Sequence, residues 1–100
     1  MTPRLSRTAL AENDLIEIWT YVARDSPAAA DRVLDRLDDR STLIAQVPGV
    51  GARRDDLGPG LRCLTVGSYL VVYRQIGDEV EIVRYLHGRR DVRQLLNRSV

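Results

Sequence analysis

The stretch Leu61 to His87, LRCLTVGSYLVVYRQIGDEVEIVRYLH, decides the fold. It contains three runs, LRCLTV, YLVVYRQI and EVEIVRYLH, rich in the β-branched and aromatic residues that suit a pleated, half-buried surface. Gly67-Ser68 and Gly77-Asp78 separate them, two-residue loops of the hairpin type. The pattern predicts a three-stranded antiparallel meander. In its middle strand Leu70, Val71, Val72 and Tyr73 are apolar in succession. Both faces of that strand therefore need cover, whereas an antiparallel sheet commonly leaves one face to water.

Upstream, the spacing changes to that of helices. In TALAENDLIEIWTYVARD (residues 8–25), Leu15, Ile18, Trp19 and Val22 fall at i, i+3, i+4 and i+7 and form one apolar stripe. Trp19 reads on this pattern as a core residue. Ser26 then caps a second helix, with Pro27 in its first turn where a missing N–H costs nothing. That helix runs to about Gln46, burying Ala30, Val33, Leu34, Leu37 and Ile44, with Ser41 as a polar gap. Its acids and arginines stand three and four residues apart and dress a solvated face. The short joint between the helices predicts an antiparallel hairpin. VPGVGARRDDLGPG (residues 47–60) follows; four glycines and two prolines in fourteen residues make it an irregular connection. Residues 3–6, PRLS, suit a short first strand, and a short helix over about 91–97 closes the chain. The fold class is α+β, and residues 1–100 are expected to form one domain, because two separate cores would each be too small.

Composition narrows the chemistry. The net charge is only +1, so the total balance does not mark a nucleic-acid binder. All fifteen basic residues are arginine, a bias that a GC-rich coding sequence also produces. The single cysteine, Cys63, permits no internal disulfide and reads as a small buried hydrophobe. One histidine and one cysteine do not make a metal site, and no cofactor is expected. No apolar run approaches the length of a membrane span, and a cytoplasmic protein is expected.

The ordered segments DLIEIWTYVA (14–23), AAADRVLDRL (28–37), VPGVGARRDDLGPGLRCL (47–64), VGSYLVVYR (66–74) and VEIVRYLHGRRD (80–91) resemble the ParE/RelE superfamily of toxins from bacterial type II toxin–antitoxin modules, the ParE branch in particular. The resemblance implies a helical hairpin packed on a small twisted antiparallel sheet. It also implies a cognate ParD-like antitoxin, whose C-terminal segment wraps and neutralises the toxin in a hetero-oligomer. Leu70, Val72, Trp19 and Val22 are the expected antitoxin contacts.

The superfamily contains two activities. RelE-like members cleave mRNA on the ribosome; ParE-like members poison DNA gyrase. Cleavage needs a base for the 2′-hydroxyl, an acid for the leaving oxygen and cations for the phosphorane. In RYLHGRRD (Arg84 to Asp91), His87 offers one proton-transfer group, and Arg62, Arg84, Arg89 or Arg90 could hold phosphate. Only Tyr73 and Tyr85 are left as the second group, and an ordinary phenol, with a pKa of about 10, is a poor base. No lysine is present and no aromatic residue follows Tyr85. Arg84 to Asp91 therefore reads first as a gripping patch, with Arg62, Arg84, His87, Arg89, Arg90 and Arg93 toward the target, and second as a ribonuclease site. The structural alternatives are a carboxylate partner within the fold for Arg62 and Arg84, and a strand-end cap or an Asp91 contact for His87. An inactive homologue that only binds antitoxin is the third reading.

Overall fold

The computed structural model describes residues 4–88 and residue 96. The chain passes through β1 (Arg4–Arg7), α1 (Ala9–Ala23), α2 (Pro27–Gln46), a 3-10 turn (Pro48–Val50), β2 (Ala52–Arg53), β3 (Arg62–Val66), β4 (Tyr69–Ile76) and β5 (Glu79–His87). Each helix starts on a side-chain cap. Thr8 Oγ1 accepts the Ala11 N–H at 3.0 Å, and Ser26 Oγ accepts the Ala29 N–H at 3.1 Å with Pro27 opening α2. These bonds satisfy donors that the helix cannot pair internally.

The three expected strands form the meander, joined by the two glycine loops. Gly67 and Gly77 sit at φ 59° and 60°, while no other residue type has a positive φ among the described residues. A glycine at positive φ in the first loop position is the II′ turn, whose twist matches that of the flanking strands. The sheet order is β1-β5-β4-β3-β2. It is mixed rather than wholly antiparallel, because β1 pairs parallel to β5 from Arg4↔Glu79 to Arg7↔Ile82. A parallel neighbour needs a long crossover, and the helical hairpin and the rest of the sheet supply it.

Both faces of the middle strand are covered. Val71 and Tyr73 join a helix-facing core with Ala11, Leu37, Ile44 and Tyr85. Val72 goes to a second core with Leu57, Leu61, Cys63, Val83, Leu86 and Leu96, and Leu70 packs beside it. The long connection thus folds Leu57 and Leu61 back over the sheet. The helix expected over 91–97 lies outside the described residues except for Leu96, which is helical and buried. A bulge between Val72 and Tyr73 of β4 leaves Val83 of β5 as the extra residue. It shifts the alternation of β5: Val80 and Ile82 before it and Tyr85 after it face the helices, while Val83 and Leu86 face away. No helix among the described residues is long and apolar enough to cross a membrane.

Candidate functional site

β1 ends at Arg7, so the upper half of β5, paired with β4 on one side, has no strand on the other. The start of α1 takes that place. Thr8 donates its N–H to the Ile82 carbonyl at 3.0 Å and its hydroxyl to the Val83 carbonyl at 2.7 Å. Further along α1, Asp14 Oδ2 accepts the Tyr85 N–H at 3.0 Å. The same carboxylate receives the Arg84 fork, Nε on Oδ2 at 2.7 Å and Nη2 on Oδ1 at 2.9 Å. Asp14 is only 6% exposed, so this is a two-pronged ion pair with little solvent screening. Hydrogen bonding to Asp14 pushes the Arg84 guanidinium further into its charged form, against the opposing pull of burial.

The two candidate tyrosines are both structural pins. Tyr73 is fully buried, donates its hydroxyl to the Pro48 carbonyl at 2.6 Å and accepts the Gly51 N–H at 2.8 Å. Burial raises its phenol pKa, with the Gly51 N–H and the Arg62 charge opposing. Arg62 itself donates to the Gly51 carbonyl at 2.8 Å, tying β3 to the same bend. The Tyr85 hydroxyl is buried against Ser41 Oγ at 2.7 Å and accepts Arg7 Nε at 2.9 Å. The polar gap at Ser41 is thus the place where α2 receives a strand hydroxyl.

His87 stands at the end of β5, its ring edge-on to Tyr69 at 5.6 Å between centroids. Its side lines a groove of about 620 Å³ between α1 and the ends of β4 and β5. Glu17, Tyr21 and Arg24 form the helix wall, and Tyr69 and His87 the strand wall. Arg24 lies over the Tyr21 ring at 5.9 Å, and burial, with Tyr21 adding, raises the Tyr69 phenol pKa.

The structure brings together His87, Arg84 and Tyr85 at one strand end and leaves Arg62 and Tyr73 in a separate cluster around Gly51. Arg89, Arg90 and Arg93 lie outside the described residues. Of the expected antitoxin contacts, Val72 is fully buried beneath the second core and offers no side-chain surface. Leu70 and Val22 are half-buried. Trp19, read from spacing as core, is 37% exposed and donates its indole N–H to Asp31 at 2.9 Å, so it bridges the helical hairpin at its margin. Sequence reading missed Asp14. Its signal was available: it lies three residues after Ala11 and four before Ile18, on the face that the helix buries.

Comparisons with known proteins bear on the whole chain. A family model described as the ParE toxin of type II toxin-antitoxin system, parDE, matches residues 5–92. Toxin ParE1 of Caulobacter vibrioides is 40% identical over 92 residues, covering 90% of this chain and 92% of its own. Toxin ParE1 of Mycobacterium tuberculosis is 35% identical over 95 residues, covering 92% of this chain and 96% of its own. A solved structure titled "Chromosomal ParDE TA system from P. aeruginosa" superposes with a TM-score of 0.73 at 28% identity, covering 86% of this chain and 96% of that one.

Proposed function

The chain belongs to the ParE toxin family of type II toxin–antitoxin systems, and on that premise we propose that it arrests growth by docking on DNA gyrase and is neutralised by a ParD-like antitoxin in the cytoplasm. The observation that carries the docking mode is the fate of the tyrosines. The Tyr73 and Tyr85 hydroxyls are committed to Pro48, Gly51, Ser41 and Arg7 inside the fold. Burial moves Tyr73 away from service as a base. The tyrosine ring that does stand beside His87 is Tyr69, and burial raises that phenol's pKa as well, so the strand end is suited to contact rather than to paired proton transfer.

An apolar partner surface supports the antitoxin half of the proposal. It lies on α1 rather than on the sheet. Ile16 is 64% exposed and Tyr21 70%, with Leu10 and Trp19 also open to solvent. Large apolar side chains left in water beside the buried stripe of a helix mark a surface that takes a partner.

The test is a supercoiling assay with purified gyrase and graded toxin, run beside ribosome-bound mRNA. Inhibition of supercoiling with intact mRNA is the expected result. Codon-dependent mRNA cuts with unaffected gyrase would transfer the chain to the ribonuclease reading. Failure of the induced toxin to arrest growth without antitoxin would make it an inactive binder.

A further inference from the structure

The end of β5 faces the way it does because of one extra residue. Val80 and Ile82 face the helices, so strict alternation would turn Arg84 and Leu86 to that side and His87 away from it. Val83, the bulge residue, breaks the count. Beyond it Tyr85 reaches the helices and Leu86 the second core, which leaves His87 on the α1 side, where it lines the groove. Bulges bend a strand and re-aim the side chains it carries.

Thr8 holds that bulge. Consecutive carbonyls of a regular strand point to opposite edges. Those of Ile82 and Val83 both go to this one residue, the first accepting its N–H at 3.0 Å and the second its hydroxyl at 2.7 Å. The same hydroxyl oxygen accepts the Ala11 N–H at 3.0 Å and starts α1. One side chain therefore fixes both the start of the helix wall and the direction of the strand wall. We propose that Thr8 is a positioning residue for target docking, locking the Val83 bulge so that His87 faces the groove. This rests on the gyrase reading above. Thr8 does not line the groove itself, so its effect passes through His87. Thr8→Val keeps the branched shape but leaves the Val83 carbonyl and the Ala11 N–H without that partner.

The experiment uses the full chain and two readouts: supercoiling by gyrase holoenzyme, and NMR of the imidazole. His87 is the only histidine, so its ring signals stand alone. In the wild-type chain they carry the ring-current shift of Tyr69, edge-on at 5.6 Å, and Tyr69→Leu gives the unshifted position. Thr8→Val should move the His87 signals toward that position and raise the toxin needed for half-inhibition by about tenfold. Thr8→Ser, which keeps the hydroxyl, should restore both. Ser26→Ala, which removes only the other helix cap, should change neither. Added to His87→Ala, Thr8→Val should raise the half-inhibition point little further, because both act on one contact. Unmoved His87 signals in Thr8→Val would overturn the proposal. So would fully additive losses with His87→Ala, or an equal loss of inhibition in Ser26→Ala. If the wild-type chain does not inhibit gyrase, the docking half fails with the target reading, while the His87 signals still decide whether Thr8 aims the strand end.

Discussion

Asp14 does three things with one carboxylate: it holds the Arg84 fork, it caps the Tyr85 N–H, and it joins α1 to β5. Replacing it with alanine leaves a buried guanidinium and a buried N–H without that partner. Asp14→Ala should lower stability by about 3–5 kcal/mol in urea titration. The paired change Asp14→Leu with Arg84→Met should recover part of that loss, since an apolar pair of similar volume has no desolvation to offset while the Tyr85 N–H still lacks the Asp14 acceptor. A fully additive double mutant would show that the ion pair has no structural role. Cys63 is the second residue-scale case. It is buried in the second core, and burial raises its thiol pKa. A thiol reagent at neutral pH should label it only as fast as the chain opens, and label it at once in denaturant. Cys63 was legible as a small hydrophobe from its strand context. Asp14 was missed, and its pairing with Arg84 could not be read, because seventy residues separate them and spacing carries no information across that distance.

At the scale of elements, the helix starts and hairpin turns were readable because each is set by a few adjacent residues. Ser26→Ala should remove the α2 cap and cost about 1 kcal/mol in thermal or urea unfolding. The bend after α2 is different. A Cβ on Gly51 would lie 2.7 Å from the Tyr73 hydroxyl oxygen and 2.8 Å from the Cys63 carbonyl oxygen. Gly51→Ala should therefore push the bend off Tyr73 and destabilise by about 1–3 kcal/mol. Gly49→Ala, where a Cβ meets nothing within 4 Å, should be close to neutral. Equal effects at the two glycines would show that backbone freedom, and not the close approach to Tyr73, explains Gly51. The glycine-rich connection was recognised as irregular, but its second role was not. It brings Leu57 and Leu61 onto the sheet, and no local pattern distinguishes an apolar residue in a loop that folds back from one that faces solvent. The β5 bulge was equally hidden, since VRYLH alternates acceptably in either register.

For the molecule as a whole, pH acts through the buried neutral groups. Burial raises the pKa of the Cys63 thiol and of the Tyr69 and Tyr73 phenols. Below the unfolded-chain values, about 8.5 for a thiol and about 10 for a phenol, these groups are protonated in both states and their full contribution is present. As pH rises past those values the unfolded chain gives up protons first, so stability falls. The urea midpoint should drop between about pH 7 and about pH 10.5, and Tyr73→Phe should reduce that drop while lowering the midpoint at pH 7. A midpoint indifferent to alkali would mean that these groups ionise as easily folded as unfolded. What the sequence by itself determined about this chain is the set of parts and their local limits: two capped helices, a glycine-jointed meander, and a middle strand that needed cover on both sides. The tertiary structure alone decided which distant segment supplied that cover, that β1 lies parallel beside β5, that Arg84 closes on Asp14, and that the exposed apolar surface falls on α1 beside His87. Caps, turns and periodicity are settled within a few residues of backbone, whereas burial and pairing depend on which remote side chains arrive at the same place.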